Sequence, residues 1–222
     1  MNAASVRERL ARLDSCAVSD SLDKLRLSGT VTGLLPMTAT TKVCGRVITV
    51  KLVANADLPG KNSKAPHLGA RAIERAEAGD VIVVEQRTGI AAGSWGGILS
   101  VAAKVRGVAG VISEGLVRDV DEARLLNFPI YARGATALTA RGRVAELETG
   151  GEVRIGDIAV RSGDYVLADQ TGVVFVGADR IAEVLDTAEQ IAGREAAMTK
   201  SLMQGTAVTQ VMATNYEEML KS

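Results

Sequence analysis

The chain opens in a helical rhythm. Val6 to Leu13 and Ala17 to Leu27 set apolar residues three and four apart among charged ones, predicting two short amphipathic helices. Ser15, or Ser19 and Asp20, are the candidate caps of the second. The rhythm then shortens. Val43 to Ala54 partly alternates and is rich in β-branched residues, which predicts a strand with one wetter face, followed by a polar loop over Asn55 to Lys64. Pro66 opens and Gly79 closes the next helical stretch, the usual proline-first, glycine-last order. Three Gly-Asp turns launch apolar strands: Gly79-Asp80, Gly156-Asp157 and Gly163-Asp164. Ser94 to Arg106 reads as a helix ended by Gly107, and Val108 to Ile112 as a fully apolar strand. Short glycine-punctuated strands fill the stretch from Phe128 to Val176. Asp179 is the expected cap of a long helix with Ile181, Val184, Leu185, Ala188, Ile191 and Ala192 at helical spacing. βαβ-like crossovers precede a β meander with no linker between them, so residues 1–222 predict one α/β domain. It carries an N-terminal helical arm over about 4–27 and a C-terminal helix over about 179–204.

Composition narrows the chemistry. With 47% apolar residues the chain can bury a full core without staples. Lys plus Arg balance Asp plus Glu at 26 each and aromatic residues are 3%, so neither a basic surplus nor stacking platforms suggest a nucleic-acid partner. No stretch approaches the roughly 20 apolar residues of a membrane span, and the charged N-terminus lacks an apolar signal core, which leaves the cytoplasm as the expected address and no membrane partner. Cys16 and Cys44 read as buried, reduced thiols. The single histidine, His67, lacks a Ser or Cys motif nearby and is expected to be structural or surface-exposed; a zinc site is disfavoured.

The stretch from Gly93 to Asp119 concentrates the candidate chemistry. A glycine-rich turn (Gly93-Ser94-Trp95-Gly96-Gly97) leads into a helix, a buried strand and then Glu114-Gly115-Leu116-Val117-Arg118-Asp119. A helix opening on glycines offers backbone N–H groups to an anion, while the same glycines could serve only close helix–strand packing. The turn matches neither the GxxxxGK[ST] nor the GxGxxG phosphate motif. Arg118-Asp119 emerges from apolar residues at a strand end, where α/β proteins collect ligands, yet such pairs are also ordinary solvated turns, as Asp121 and Glu122 after it are read.

Together these segments resemble the RraA-like family, which includes regulators of ribonuclease E activity and class II 4-hydroxy-4-methyl-2-oxoglutarate aldolases. The likeness lies in Gly96-Gly97-Ile98-Leu99, Ala102-Ala103-Lys104, Gly107 to Ile112 and Gly115 to Asp119, and covers most of residues 17 to 177. It implies an α-β-β-α sandwich with a swivelling β/β/α-type core, assembled as a homotrimer or homohexamer. It also implies a lyase that cleaves a small 2-oxo acid by retro-aldol reaction or decarboxylation. In that picture Asp119 holds Mg²⁺ (or Mn²⁺), Arg118 contacts substrate and the developing enolate, and Gly96, Gly97, Ile98 and Leu99 cradle a carboxylate. Two positions depart from the pattern: Gly97 stands where many members have glutamate, removing a carboxylate, and Glu114 stands for an aspartate, where it could act behind the site. The resemblance also implies a glutamate that reaches a neighbouring subunit's site, for which Glu195 is the candidate, the alternative being a solvated helix face. Other members of the family bind and inhibit a ribonuclease without catalysis, or cleave a different hydroxy acid.

Overall fold

The computed structural model describes residues 2–38, 41–59 and 67–212. Helices α1 (Ala3–Leu10) and α2 (Ser15–Lys24) come first, then the two-residue strands β1 (Thr30–Val31) and β2 (Leu35–Pro36). The long strand β3 (Val43–Ala54) follows, and three crossovers interleave α3 (Ala70–Arg75), β4 (Val81–Gln86), α4 (Gly97–Arg106), β5 (Gly110–Val117), α5 (Val120–Leu125) and β6 (Ile130–Ala135). The meander supplies β7 (Val144–Thr149), β8 (Glu152–Ile155), β9 (Ile158–Arg161), β10 (Tyr165–Ala168) and β11 (Val173–Val176), before α6 (Ile181–Met203) and α7 (Val208–Val211).

Strands β3 to β6 pair in parallel, as helical crossovers between consecutive strands allow, while β10, β11 and β1 continue antiparallel from the start of β3. Three apolar layers follow from the alternation of side chains along these strands. Ile48, Val50, Ile82, Val84 and Val111 point toward α3, α4 and α5. Their neighbours Val47, Val81, Val83 and Ile112 meet β10, β11 and the β8–β9 hairpin. The far side of β10 and β11 is covered by α1, α2 and α6 through Val6, Leu10, Val18, Leu22, Val184, Leu185 and Ala188. The order is helix, sheet, sheet, helix: the expected α-β-β-α sandwich.

Several local expectations change. The cap of α2 is Asp14, whose carboxylate accepts the Ala17 N–H at 2.8 Å; Ser15 lies inside the helix and donates both its N–H and hydroxyl to Asp169. Asp179 does not cap α6, which starts at Ile181 with no side-chain cap, and Arg180 pairs with Glu183 across its first turn at 2.6 Å. Cys16 is exposed and Cys44 half-buried, because α2 turns Ala17, Val18, Ser21 and Leu22 inward and leaves Cys16 on its outer side. Both are free thiols. The helix after His67 starts only at Ala70, since Gly69 takes a left-handed φ of 78° that breaks the helical path; Pro66 and most of the preceding polar loop lie outside the described residues. Among the described residues no helix is long and apolar enough to cross a membrane.

Candidate functional site

Strand β5 runs on past its apolar start through a register shift between Ser113 and Leu116, and this irregularity builds the site. The glycine-rich turn is strapped along the shifted segment: Gly93 bridges Leu116, the Ser94 N–H and hydroxyl both donate to the Leu116 carbonyl, and the Arg118 N–H donates to the Trp95 carbonyl at 2.9 Å. Ser94 and Ser113 share a buried hydroxyl contact of 2.6 Å. Trp95 is buried beneath, its indole N–H donating to Ser100 Oγ, which donates in turn to the Gly96 carbonyl.

The glycines serve close approach. A Cβ on residue 93 would lie 2.9 Å from Arg118 Cγ, and one on residue 96 would lie 2.8 Å from Asp119 Oδ2. The packing and anion-binding explanations therefore merge: the turn is bare so that the Arg118 and Asp119 side chains can lie across it.

Asp119 holds an unusual backbone. Among the described residues three non-glycine residues have positive φ: Arg26, Asp119 and Asn127. Arg26 and Asn127 lie just after the ends of α2 and α5, where such a conformation closes a helix. Asp119, at φ 56°, instead precedes a helix, and its side chain makes no cap bond to it. Its carboxylate reaches across to α4, where Oδ2 accepts the Gly97 N–H at 2.9 Å, while Arg118 Nε donates to Oδ1 at 3.2 Å. The anion on the α4 N-terminus is thus the chain's own carboxylate. The first i→i−4 bond of α4 is Ser100 N–H to the Gly96 carbonyl, so the Ile98 and Leu99 N–H groups have no partner within the helix.

A cavity of about 230 Å³ opens over this turn. It is lined by Gly93, Trp95, Gly96 to Leu99, Arg118 and Asp119, together with His67, Leu68, Thr139, Ala140 and Arg141. The expected residues Gly96, Gly97, Ile98, Leu99, Arg118 and Asp119 are therefore brought together. A second cavity of about 400 Å³ lies on the other side of the Arg118–Asp119 pair, against Asp121, Glu122 and Thr136.

Glu122 is the residue the sequence did not single out for chemistry. Its Oε2 occupies the place a Cβ on residue 97 would take, beside Asp119. Glu122 thus stands over Gly97 from the first turn of α5, which is exposed at Asp121 and Glu122 as expected. The signal was present as spacing: Glu122 follows Asp119 by one short helical step, which returns it to the same side. Arg141 and His67 carried no motif, because their place in the wall depends on loops that only the fold brings together.

Glu114 and Glu195 are not brought to this cavity within the protomer. Glu114 turns to the opposite face of the sheet, where it pairs with Arg133 at 3.0 Å and accepts the Gly156 N–H at 3.0 Å. Glu195 lies on α6 toward α2; burial, then the charges of Asp14 and Asp20, push its carboxyl above the usual glutamate range.

The RraA-like model, described as Aldolase/RraA, matches residues 15–175, the span that builds both sheets and the turn. The chain belongs to the RraA-like family. A Halalkalibacterium halodurans relative named "Putative 4-hydroxy-4-methyl-2-oxoglutarate aldolase" is 27% identical over 180 residues, 80% of this chain and 79% of that protein. Protein DlpA of Legionella pneumophila is 25% identical over 203 residues; these are 91% of this chain but 32% of DlpA, so the chain spans about a third of that relative's length. Among solved structures, Streptomyces coelicolor RraAS2, described as an unusual member of the RNase ES inhibitor RraA protein family, superposes with a TM-score of 0.75 at 25% identity, covering 86% of this chain and 93% of that one. These RraA-like relatives therefore include proteins named for aldol chemistry and for ribonuclease inhibition.

Proposed function

We propose that the protein is a divalent-metal-dependent lyase that cleaves a small 2-oxo acid, by retro-aldol reaction or decarboxylation, through a pyruvate enolate. The observation that carries this is Asp119: a carboxylate on a left-handed backbone at a cavity edge, bridging Arg118 and the N-terminus of α4. Membership of a family whose relatives include proteins named as aldolases supports it.

The residues present fit Mg²⁺ or Mn²⁺. Such ions take oxygen ligands, keep several waters and are held by one or two carboxylates together with substrate. Asp119 and Glu122 flank Gly97, and among the described residues no group of three His, Cys, Asp or Glu forms a closed cage. That donor set does not suit zinc. When bound, the ion supplies Lewis acidity toward the oxygens of the 2-oxo acid. The chain's own residues do the rest. The Ile98 and Leu99 N–H groups, with the α4 dipole behind them, receive the substrate carboxylate. Arg118, held by Asp119, presents guanidinium N–H groups toward the oxygen on which enolate charge develops. The buried Trp95 and Leu99 line the cavity and reduce water around that charge.

Pyruvate release from oxaloacetate and from 4-hydroxy-4-methyl-2-oxoglutarate should require added Mg²⁺ and vanish in Asp119→Asn. Full turnover in excess EDTA would sink the proposal. A second reading is favoured by one observation: Ile98, Val105 and Leu125 are 83%, 84% and 86% exposed on the outer sides of α4 and α5. Such a face suits a protein partner. Covered by further copies of this chain it gives the trimer or hexamer, which light scattering would measure; covered by a ribonuclease it gives an inhibitor. A stable ribonuclease complex with no turnover of any 2-oxo acid selects the inhibitor.

A further inference from the structure

Retro-aldol cleavage needs a group that takes the hydrogen of a hydroxyl on the carbon that becomes a ketone. Five side chains lining the 230 Å³ cavity carry exchangeable protons or lone pairs: His67, Arg118, Asp119, Thr139 and Arg141. Arg118 and Arg141 stay protonated and cannot accept one. Thr139 is a neutral hydroxyl that already accepts the Arg141 N–H at 3.3 Å. Asp119 uses Oδ2 on the Gly97 N–H and Oδ1 on Arg118. His67 differs. Its Nδ1 lies 3.2 Å from the Leu68 carbonyl, and because a carbonyl only accepts, that nitrogen carries the hydrogen. The neutral ring therefore keeps its lone pair on Nε2, which makes no hydrogen bond among the described residues.

The turn that carries this imidazole is held from below. Glu146, with 2% side-chain exposure, accepts the Gly69 N–H at 2.6 Å, pairs with Arg71 at 2.7 Å and accepts the Thr149 hydroxyl at 2.6 Å. Burying that carboxylate to anchor a surface turn costs desolvation, which its three hydrogen bonds offset. Gly69 also lies against the site: a Cβ there would sit 2.8 Å from Trp95 Cζ3 and 3.7 Å from Leu99 Cδ1. The turn is thereby seated on the first turn of α4, whose N–H groups are the proposed seat of the substrate carboxylate.

We propose that His67 is the general base of the retro-aldol step. This rests on the lyase reading, with the 2-oxo end of the substrate at Arg118 and the α4 N-terminus. Nε2 takes the proton of the C4 hydroxyl of 4-hydroxy-4-methyl-2-oxoglutarate, and the O–H electron pair forms the C4 carbonyl. The C3–C4 bond breaks, its pair forms C2=C3, and the keto π pair moves onto the enolate oxygen that faces Arg118. C4 leaves as the ketone carbon of one pyruvate. The imidazolium then returns the proton to C3 of the enolate, which gives the second pyruvate and restores the neutral ring. Oxaloacetate has no such hydroxyl, so its decarboxylation skips the first proton transfer.

The difference between the two substrates supplies the test. In the full-length protein with Mg²⁺, His67→Ala and His67→Gln should each lower retro-aldol turnover relative to oxaloacetate decarboxylation by at least about a hundredfold, the lower end for general base catalysis. Free imidazole should restore part of the loss in His67→Ala. Decarboxylation reports whether each variant has folded. The chain's single histidine gives one imidazole NMR signal, which should shift when pyruvate is added with Mg²⁺, whether or not turnover occurs. A ratio unchanged in both variants, an equal fall of both reactions, an imidazole signal blind to pyruvate, or a selective loss in Glu122→Gln instead overturns the base and leaves the lyase reading standing. No pyruvate from either substrate with the unsubstituted protein overturns the lyase reading and the base with it.

Discussion

Strand β5 and its exit carry two carboxylate–arginine pairs of nearly equal length and opposite character. Glu114–Arg133 spans 3.0 Å across neighbouring strands, with side-chain exposures of 11% and 30%. Glu114 also accepts the Gly156 N–H, fastening the β8–β9 hairpin to the sheet. Arg118–Asp119 spans 3.2 Å between adjacent residues, with exposures of 36% and 29%, on a left-handed backbone at a cavity edge. The first pair is enclosed and its bonding capacity is taken up by the fold. The second is open on two sides and keeps lone pairs and N–H groups facing solvent. Proximity along the sequence did not decide which carboxylate joined the site; the face of the strand did.

Mutating each pair separates these roles, and the largest effect belongs to the open one. Asp119→Asn should lower pyruvate release by at least about a hundredfold, as for groups acting directly on developing charge, while the melting temperature barely moves because asparagine tolerates the same backbone. Glu114→Gln should do the reverse. Turnover should stay within about twofold, and stability should fall by about 1–3 kcal/mol from disrupted bonding to Arg133 and Gly156, a drop of several degrees in a calorimetric scan of a chain this size.

Two smaller tests address what surrounds the open pair. Glu122→Gln should raise the Mg²⁺ concentration for half-activation about tenfold, the range for groups that support a metal site. Gly97→Ala places a methyl where the Glu122 carboxylate lies and should shift the same constant in the same direction by a smaller factor. If Glu122→Gln leaves the Mg²⁺ dependence unchanged, Glu122 belongs with Glu114 among the structural carboxylates.

The smallest effect is on pH. Burial, with Asp14 and Asp20, raises the Glu195 carboxyl above its ordinary 4.5, so its protonated form is favoured in the fold. The stability it contributes is full below the ordinary value and is lost as pH rises through the raised one. Glu195→Gln should flatten that part of the stability-versus-pH curve. A shift in Mg²⁺ dependence as well would show Glu195 reaching another subunit's site.

Much of this was legible in the residues. The β3 boundaries, the three Gly-Asp strand starts and the helix ended by Gly107 follow from periodicity and turn chemistry, which are local. The turn and the Arg118-Asp119 pair were legible as candidates. Helix starts were less so: Asp14 outcompeted Ser15 because Ser15 found Asp169, 154 positions away. Glu122, His67 and Arg141 were hidden for the same reason. Their importance depends on empty space beside them, over Gly97 or across a cavity, and empty space has no residue type.

Strand β3 has a consequence of its own. Its first residues, Val43 to Arg46, pair with β10, and the rest pair with β4 and β7, so one uninterrupted segment is shared by both sheets. Neither layer keeps its full complement of strands if the chain is divided there. Melting should therefore proceed as one transition, with β3 amides among the last to exchange with deuterated solvent. The glycine-rich turn and the β8–β9 hairpin would then share a single lifetime.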